Sequence, residues 1–312
     1  MVSNPKSSTA SDAHGEHGSE ASVEASVEAR VEAGAGTRVR TIDVGPVALV
    51  VDEAGVGGRP LLLVHGYTGG RNDFDTVIGP LAEDGWHVVA PDLRGHGDSQ
   101  DLDDEESYSL ELFAADLLEL TRSLGWDEFV LWGHSMGGMV AQVLTLAAPE
   151  CVRALVLMDT THCETPIDGD LIELAVKIAR AEGLERIIEI QRDIEDPLET
   201  AAYRHLCETV PGFAERSENN TRACSAAMFA AMALELTSPH DRLPDLAGVT
   251  CPTLVLVGEE DLPFVEPSRR MAATIPDATL AVLAAGGHSP QFEAPEELWR
   301  AVTPFLAAQA QS

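Results

Sequence analysis

The stretch "LWGHSMGGMVAQ", residues 131–142, sets a serine at a glycine-flanked corner. Gly133-His134-Ser135-Met136-Gly137 fits G-x-S-x-G, after a wholly apolar run and before a helix-like one. A strand that turns sharply into a helix crowds its own backbone and strains the central residue, and neighbours without a Cβ relieve the crowding. Such a corner raises a serine Oγ at the top of a sheet, beside the positive end of the following helix. The same glycines would serve a purely structural turn, so the pentapeptide implies chemistry only if partners stand near it.

A serine hydroxyl at its own pKa is a poor nucleophile; it needs a base, and the base needs a group to orient it. His288, in "AAGGHSPQFEAPEEL", follows the last apolar run in a Gly-rich loop and is the expected base. His65 and His87 lie in or beside strand patterns, where buried hydrogen bonds account for them, and His96 is a further alternative. His134 adjoins Ser135 and is expected to point away from it, while His162, His205 and His240 fall in a helical stretch and are expected at the surface. Two strand ends offer an acid: Asp261 in "LVLVGEEDLPF" and Asp159 in "LVLMDTTHCE". The order Ser…Asp…His across successive strand ends favours Asp261 and leaves Asp159 to cap a loop. Attack on a carbonyl also requires donors for the oxyanion, and the backbone N–H groups of Met136 and of Tyr67, in "HGYTGG", are the candidates.

These residues need a frame. Two strand-like runs flank Gly45-Pro46, a hairpin signal. Then come "PLLLVHG", "WHVVAPDL", "EFVLWGHS", "VRALVLMD", "PTLVLVGEED" and "TLAVLAAGGH", wholly apolar runs that imply strands buried on both faces of a parallel sheet. Amphipathic stretches such as "SLELFAADLLELTRSLG" supply the crossovers. After Asp159 about eighty residues pass with helical patterns only, and a block so placed should cover the carboxyl ends of the strands, where open α/β sheets bind ligands. Within it, Met228, Phe229 and Met232 read as packing residues in preference to a pocket lining. Residues 1–36, with the near-repeat "ASVEASVEARVEA", carry a stripe of three valines too narrow to bury much and read as a disordered or weakly helical acidic tail.

Composition narrows the partners. Asp and Glu outnumber Lys and Arg 52 to 20, a formal charge of −32, and Lys6 and Lys177 are the only lysines. Such a surface repels phosphate backbones and anionic lipids, so neither nucleic acid nor a membrane is an expected partner. A small, apolar or weakly charged molecule is the expected substrate, and the sequence leaves monomer and homodimer both open. No apolar run reaches the roughly 20 residues of a membrane span. The N-terminus lacks a secretory pattern, which makes the cytoplasm the expected location. Five cysteines without a C-x-x-C pair read as buried free thiols; neither a metal nor an organic cofactor is expected.

Together "LVHGYTGG", "APDLRGHGDS", "GHSMGG", "GEEDLPF" and "GGHSPQFEAPEEL" resemble the α/β-hydrolase family from about residue 40 onward. The resemblance implies a mostly parallel eight-stranded sheet with helices on both faces, a core of residues 37–160 and 242–312, and a helical cap over 161–241. It carries the triad onto Ser135, Asp261 and His288, and gives Asp92, Arg94, His96, Asp98 and Ser99 a scaffold role. Serine at 135 sets aside the aspartate-nucleophile dehalogenases and epoxide hydrolases of this fold. "GHSMGGMVAQ" looks closest to the small-substrate esterases, enol-lactonases and bromoperoxidase-like enzymes. The expected reaction is hydrolysis of a small carboxylic ester or lactone through an acyl-enzyme. Cleavage of a carbon–carbon bond in vinylogous diketones and a non-catalytic ligand receptor are the alternatives.

Overall fold

The computed structural model describes residues 36–165, 169–193, 198–237 and 240–310. The tail expected over 1–36 lies outside the described residues, Gly36 excepted. Eight strands form one sheet: β1 Arg38–Asp43, β2 Ala48–Ala54, β3 Arg59–Val64, β4 Trp86–Pro91, β5 Phe129–His134, β6 Val152–Met158, β7 Thr253–Gly258 and β8 Ala278–Leu283. Their spatial order is β1-β2-β4-β3-β5-β6-β7-β8. The β1–β2 hairpin and the β2–β4 pair are antiparallel, and every other pair is parallel.

The helices are α1 Asp75–Glu83, α2 Leu110–Ser123, α3 Met136–Ala147, α4 Gly169–Glu182, α5 Leu184–Asp193, α6 Ala201–Thr209, α7 Phe213–Arg222, α8 Ala226–Leu236, α9 Leu243–Leu246, α10 Leu262–Thr274, α11 Pro290–Glu293 and α12 Pro295–Gln309. Alternate residues of each central strand serve opposite faces. Leu62, Val64, Leu131 and Leu155 pack with Phe113, Leu117 and Val140 from α2 and α3. Leu61, Leu63, Val130 and Trp132 pack with Val77 and Leu81 from α1 and Leu298 and Val302 from α12. Two-sided burial is why these strands carry no polar alternation. The eighth strand departs from that expectation: β8 closes the sheet at one edge and buries Leu283 alone.

Between β6 and β7 stand α4 to α9. The run "DLIELAVKIARAEGLERIIEIQRD" divides into α4 and α5 at Gly183, whose φ of +82° ends the first helix at a conformation that glycine adopts without strain. The run "ERSENNTRACSAAMFAAMALEL" divides into α7 and α8; Ser225 caps the second, its Oγ accepting the Met228 amide at 3.3 Å. Met228, Phe229 and Met232 are buried in packing, as expected.

The "PDLRGHGDS" turn is a scaffold. Asp92 accepts the Arg71 amide at 2.8 Å and the Asp98 amide at 3.0 Å, Ser99 Oγ donates to Asp92 O at 2.6 Å, and Arg94 pairs with Asp116 in the interior. His87 and His65 occupy buried hydrogen-bonded places, as expected. His162 does not lie at the surface: its side chain is buried, and Nδ1 bonds Asp241 at 2.7 Å. The cysteines are free, but only Cys251 is buried; the other four are half-buried. Among the described residues no helix is long and apolar enough to cross a membrane.

Candidate active site

The serine corner is built as its glycines require. Ser135 sits at φ 53°, ψ −121°, a strained conformation for a residue with a Cβ. Three bonds impose it: the Ser135 amide donates to Met158 O at 2.9 Å, the Gly138 amide to Ser135 O at 2.9 Å, and Thr160 Oγ1 to Ser135 O at 2.6 Å. A Cβ on Gly137 would overlap the carbonyl oxygens of Val64 and His65, so only glycine lets α3 start this close to β3.

The three expected side chains converge. Ser135 Oγ donates to His288 Nε2 at 3.0 Å, and His288 Nδ1 donates to Asp261 Oδ2 at 2.9 Å. Each comes from a strand end: Ser135 after β5, Asp261 after β7, His288 in the loop after β8. Asp261 is buried, whereas Glu259 and Glu260 beside it are exposed and do not compete. Asp159 does not reach His288; its Oδ1 accepts the Gly258 amide at 2.8 Å.

Met136 opens α3, where an amide has no carbonyl one turn back to bond. Tyr67, in the loop after β3, lines the same cavity as Ser135. His65 braces that loop: Leu93 N–H donates to its Nε2 at 3.0 Å, which fixes the proton on Nδ1, donating to Gly66 O at 2.8 Å. The Tyr67 side chain has a task of its own, its hydroxyl donating to Phe229 O of α8 at 2.7 Å.

Ser135 and His288 open into a cavity of about 320 Å³ walled on the other side by the helices between β6 and β7. Ile172, Tyr203, Phe213, Leu236, Phe264 and Phe292 give it an apolar lining. Its charged walls are Asp73, Glu199, Arg216 and Glu293. Burial raises the Asp73 carboxyl above its ordinary range. Arg216 is engaged with Asp75 at 3.1 Å, donates to Asn72 O, and stacks over Phe292. Asn220 of α7 exchanges amide bonds with Asn72 at 2.8 and 3.0 Å and donates to Asp73 Oδ1 at 3.2 Å. Thr200 donates to the Glu293 carboxylate, which also accepts the Ser289 amide at 2.8 Å.

His134 departs from its expected place. It lines the cavity, and its Nε2–H donates to His288 O at 2.6 Å. Burial first, and the neighbouring His288 second, bring its pKa down to about 3, so it stays neutral and serves as a fixed donor. The wall residues Asp73, Arg216, Asn220, Phe264 and Glu293 carried no local signal in the sequence. His134 had one, its place inside the pentapeptide.

A mostly parallel eight-stranded sheet whose strand ends present a serine, a histidine and an aspartate in that contact order defines the α/β hydrolases. The family model of the alpha/beta hydrolase fold matches residues 59–295, and the chain belongs to that family. It is similar to a serine hydrolase-like protein of Danio rerio, 39% identical over 103 residues, which are 33% of this chain and 31% of that one. The chain thus spans about a third of the length of that relative. Mouse sn-1-specific diacylglycerol lipase ABHD11 (Mus musculus) is 27% identical over 261 residues, 79% of this chain and 80% of its own. Among solved structures, a thermophilic esterase from Thermogutta terrifontis superposes with a TM-score of 0.74 at 29% identity, covering 88% of this chain and all of that one. Family and relatives together support a hydrolase.

Proposed function

We propose that the chain is a serine hydrolase that cleaves a small, uncharged carboxylic ester or lactone through an acyl-enzyme. The observation that carries this reading is the continuous chain of bonds from Ser135 Oγ through His288 to Asp261 at a largely apolar cavity. His288 Nε2 takes the Ser135 proton as Oγ attacks the carbonyl carbon, and Asp261 holds the ring and stabilises the imidazolium. The amides of Met136 and Tyr67 receive the oxyanion. His288 then gives the proton to the leaving alcohol oxygen, and water, activated by the same ring, releases the acid. Every step uses side chains and amides of this chain. The helices of 161–241 act as the cap that sorts substrates.

The cavity wall speaks against the carbon–carbon alternative. An anionic diketone needs a free cation, and Arg216 is already paired with Asp75, while Asp73, Glu199 and Glu293 face the same space. The deciding experiment is labelling with a serine-directed fluorophosphonate, followed by turnover of a panel of esters, lactones and diketones. Wild type should label and cleave uncharged esters or lactones, and Ser135→Ala should lose both, turnover falling roughly 10⁵- to 10⁶-fold. Labelling that survives in Ser135→Ala removes Ser135 as nucleophile, and turnover of diketones alone replaces ester hydrolysis with the other reaction.

A further inference from the structure

The buried Asp159 is left over by this mechanism. It is fully enclosed, as is Asp261 but for 2% of its surface, and Gly258 ties the two together, its amide donating to Asp159 Oδ1 at 2.8 Å and its carbonyl accepting the Asp261 amide at 3.2 Å. Counting partners assigns the protons. Asp261 Oδ2 accepts from His288, and Asp159 Oδ1 accepts from the Gly258 amide. The remaining two oxygens, Asp159 Oδ2 and Asp261 Oδ1, are both buried and have no other partner among the described residues. Two acceptors cannot satisfy one another; one proton between them satisfies both.

We propose that Asp159 is a positioning residue of the triad: a neutral carboxylic acid whose Oδ2–H donates to Asp261 Oδ1 and fixes the rotation that turns Asp261 Oδ2 toward His288. The inference rests on the triad reading above. The proton belongs on Asp159 because Asp261 already faces the histidine that will become cationic. Burial, then the adjacent Asp261, and more distantly Glu293, all push the Asp159 carboxyl well above the ordinary carboxylate range. The Gly258 amide opposes them; the charged groups that face Asp159 are Asp261 and Glu293, with His288 beyond Asp261. Its backbone is also built in: φ is +47°, a conformation in which aspartate and asparagine are favoured over other side chains.

Asparagine can copy the neutral acid, with Oδ1 accepting from Gly258 and Nδ2–H donating to Asp261; glycine keeps the backbone conformation and removes the donor. Asp159→Asn should retain kcat within a few-fold and leave the midpoint of the pH–kcat/KM profile for p-nitrophenyl butyrate in place. Asp159→Gly should lower kcat roughly ten- to hundredfold, with KM little changed. The infrared spectrum of wild type should show a carboxylic acid C=O band that Asp159→Asn lacks. If Asp159 is instead ionised, Asp159→Asn removes a negative charge near His288, the midpoint moves down by about one unit or more, and the band is absent from wild type. Either result overturns the proposal, as does full activity in Asp159→Gly. Should Asp159→Gly not fold, the asparagine midpoint and the infrared band decide alone. In each of these failures Ser135 still labels with a fluorophosphonate, whereas failure of the triad reading itself shows as labelling that persists in Ser135→Ala.

Discussion

His134 can be tested through two properties at once. Its Nε2–H is the donor to the His288 carbonyl at 2.6 Å, and its ring is buried and neutral, with a pKa near 3. His134→Leu keeps apolar volume and leaves that carbonyl unpaired, a cost of about 1–3 kcal/mol. The cost falls on the loop that aims His288, so kcat should drop roughly ten- to hundredfold. In His134→Gln, Nε2 can restore the donor, and activity should return to within a few-fold of wild type. Stability gives the second readout. An unfolded histidine titrates near 6.5, while this one in the fold titrates near 3, so between those values only the unfolded chain binds the proton. Its contribution is fully present above pH 6.5 and is lost as pH falls toward 3, at about 1.4 kcal/mol per unit. Between pH 7 and pH 5 that amounts to about 2 kcal/mol. Buried His96, whose pKa is also lowered, acts in the same direction, but it remains in the variant and cancels in the comparison. Urea unfolding of wild type and His134→Gln at both pH values isolates the term. Equal losses in the two proteins would refute a neutral buried His134, and full turnover of p-nitrophenyl butyrate by His134→Leu would refute its anchoring role.

Two further outcomes follow from the same geometry. Asn220→Leu deletes the paired amides that tie α7 to the loop before α1 and leaves Asp73 Oδ1 short of a donor. Steady-state kinetics should show KM up about tenfold with a smaller change in kcat, and an unchanged KM would remove this tie as a determinant of substrate binding. Gly137→Ala forces a Cβ against the β3 backbone and should destabilise by about 3 kcal/mol or more in urea unfolding, with labelling of Ser135 abolished; a variant of wild-type stability would contradict the close approach.

The frame and the reacting residues were legible for a common reason. A strand buried on both faces announces itself in a run such as "FVLWGH", and each reacting side chain lies a residue or a short loop beyond such a run. Ser135, Asp261 and His288 therefore needed only local patterns and chain order, and the structure brings them within 3.0 Å of their partners. The edge strand β8 misled because its apolar run reads like a central strand, and only strand order reveals that one side has no neighbour. His134 misled because alternation along β5 says which face a side chain takes, and says nothing of a carbonyl brought there by a loop 154 residues away.

The cavity wall was illegible for a different physical reason. Its polar members meet across long stretches of chain: Asn72 with Asn220 over 148 residues, Tyr67 with Phe229 over 162. Helical periodicity marks the apolar stripe of α7 and α8 but not which polar residue at its margin turns toward the sheet. That turning sets the chemistry of the pocket. Arg216, read alone, is a carboxylate receptor; held by Asp75 and the Asn72 carbonyl and surrounded by Asp73, Glu199 and Glu293, it adds no free positive charge. The acidic excess of the whole chain is thus repeated in the wall of the cavity at Ser135, and both oppose an anionic acyl group.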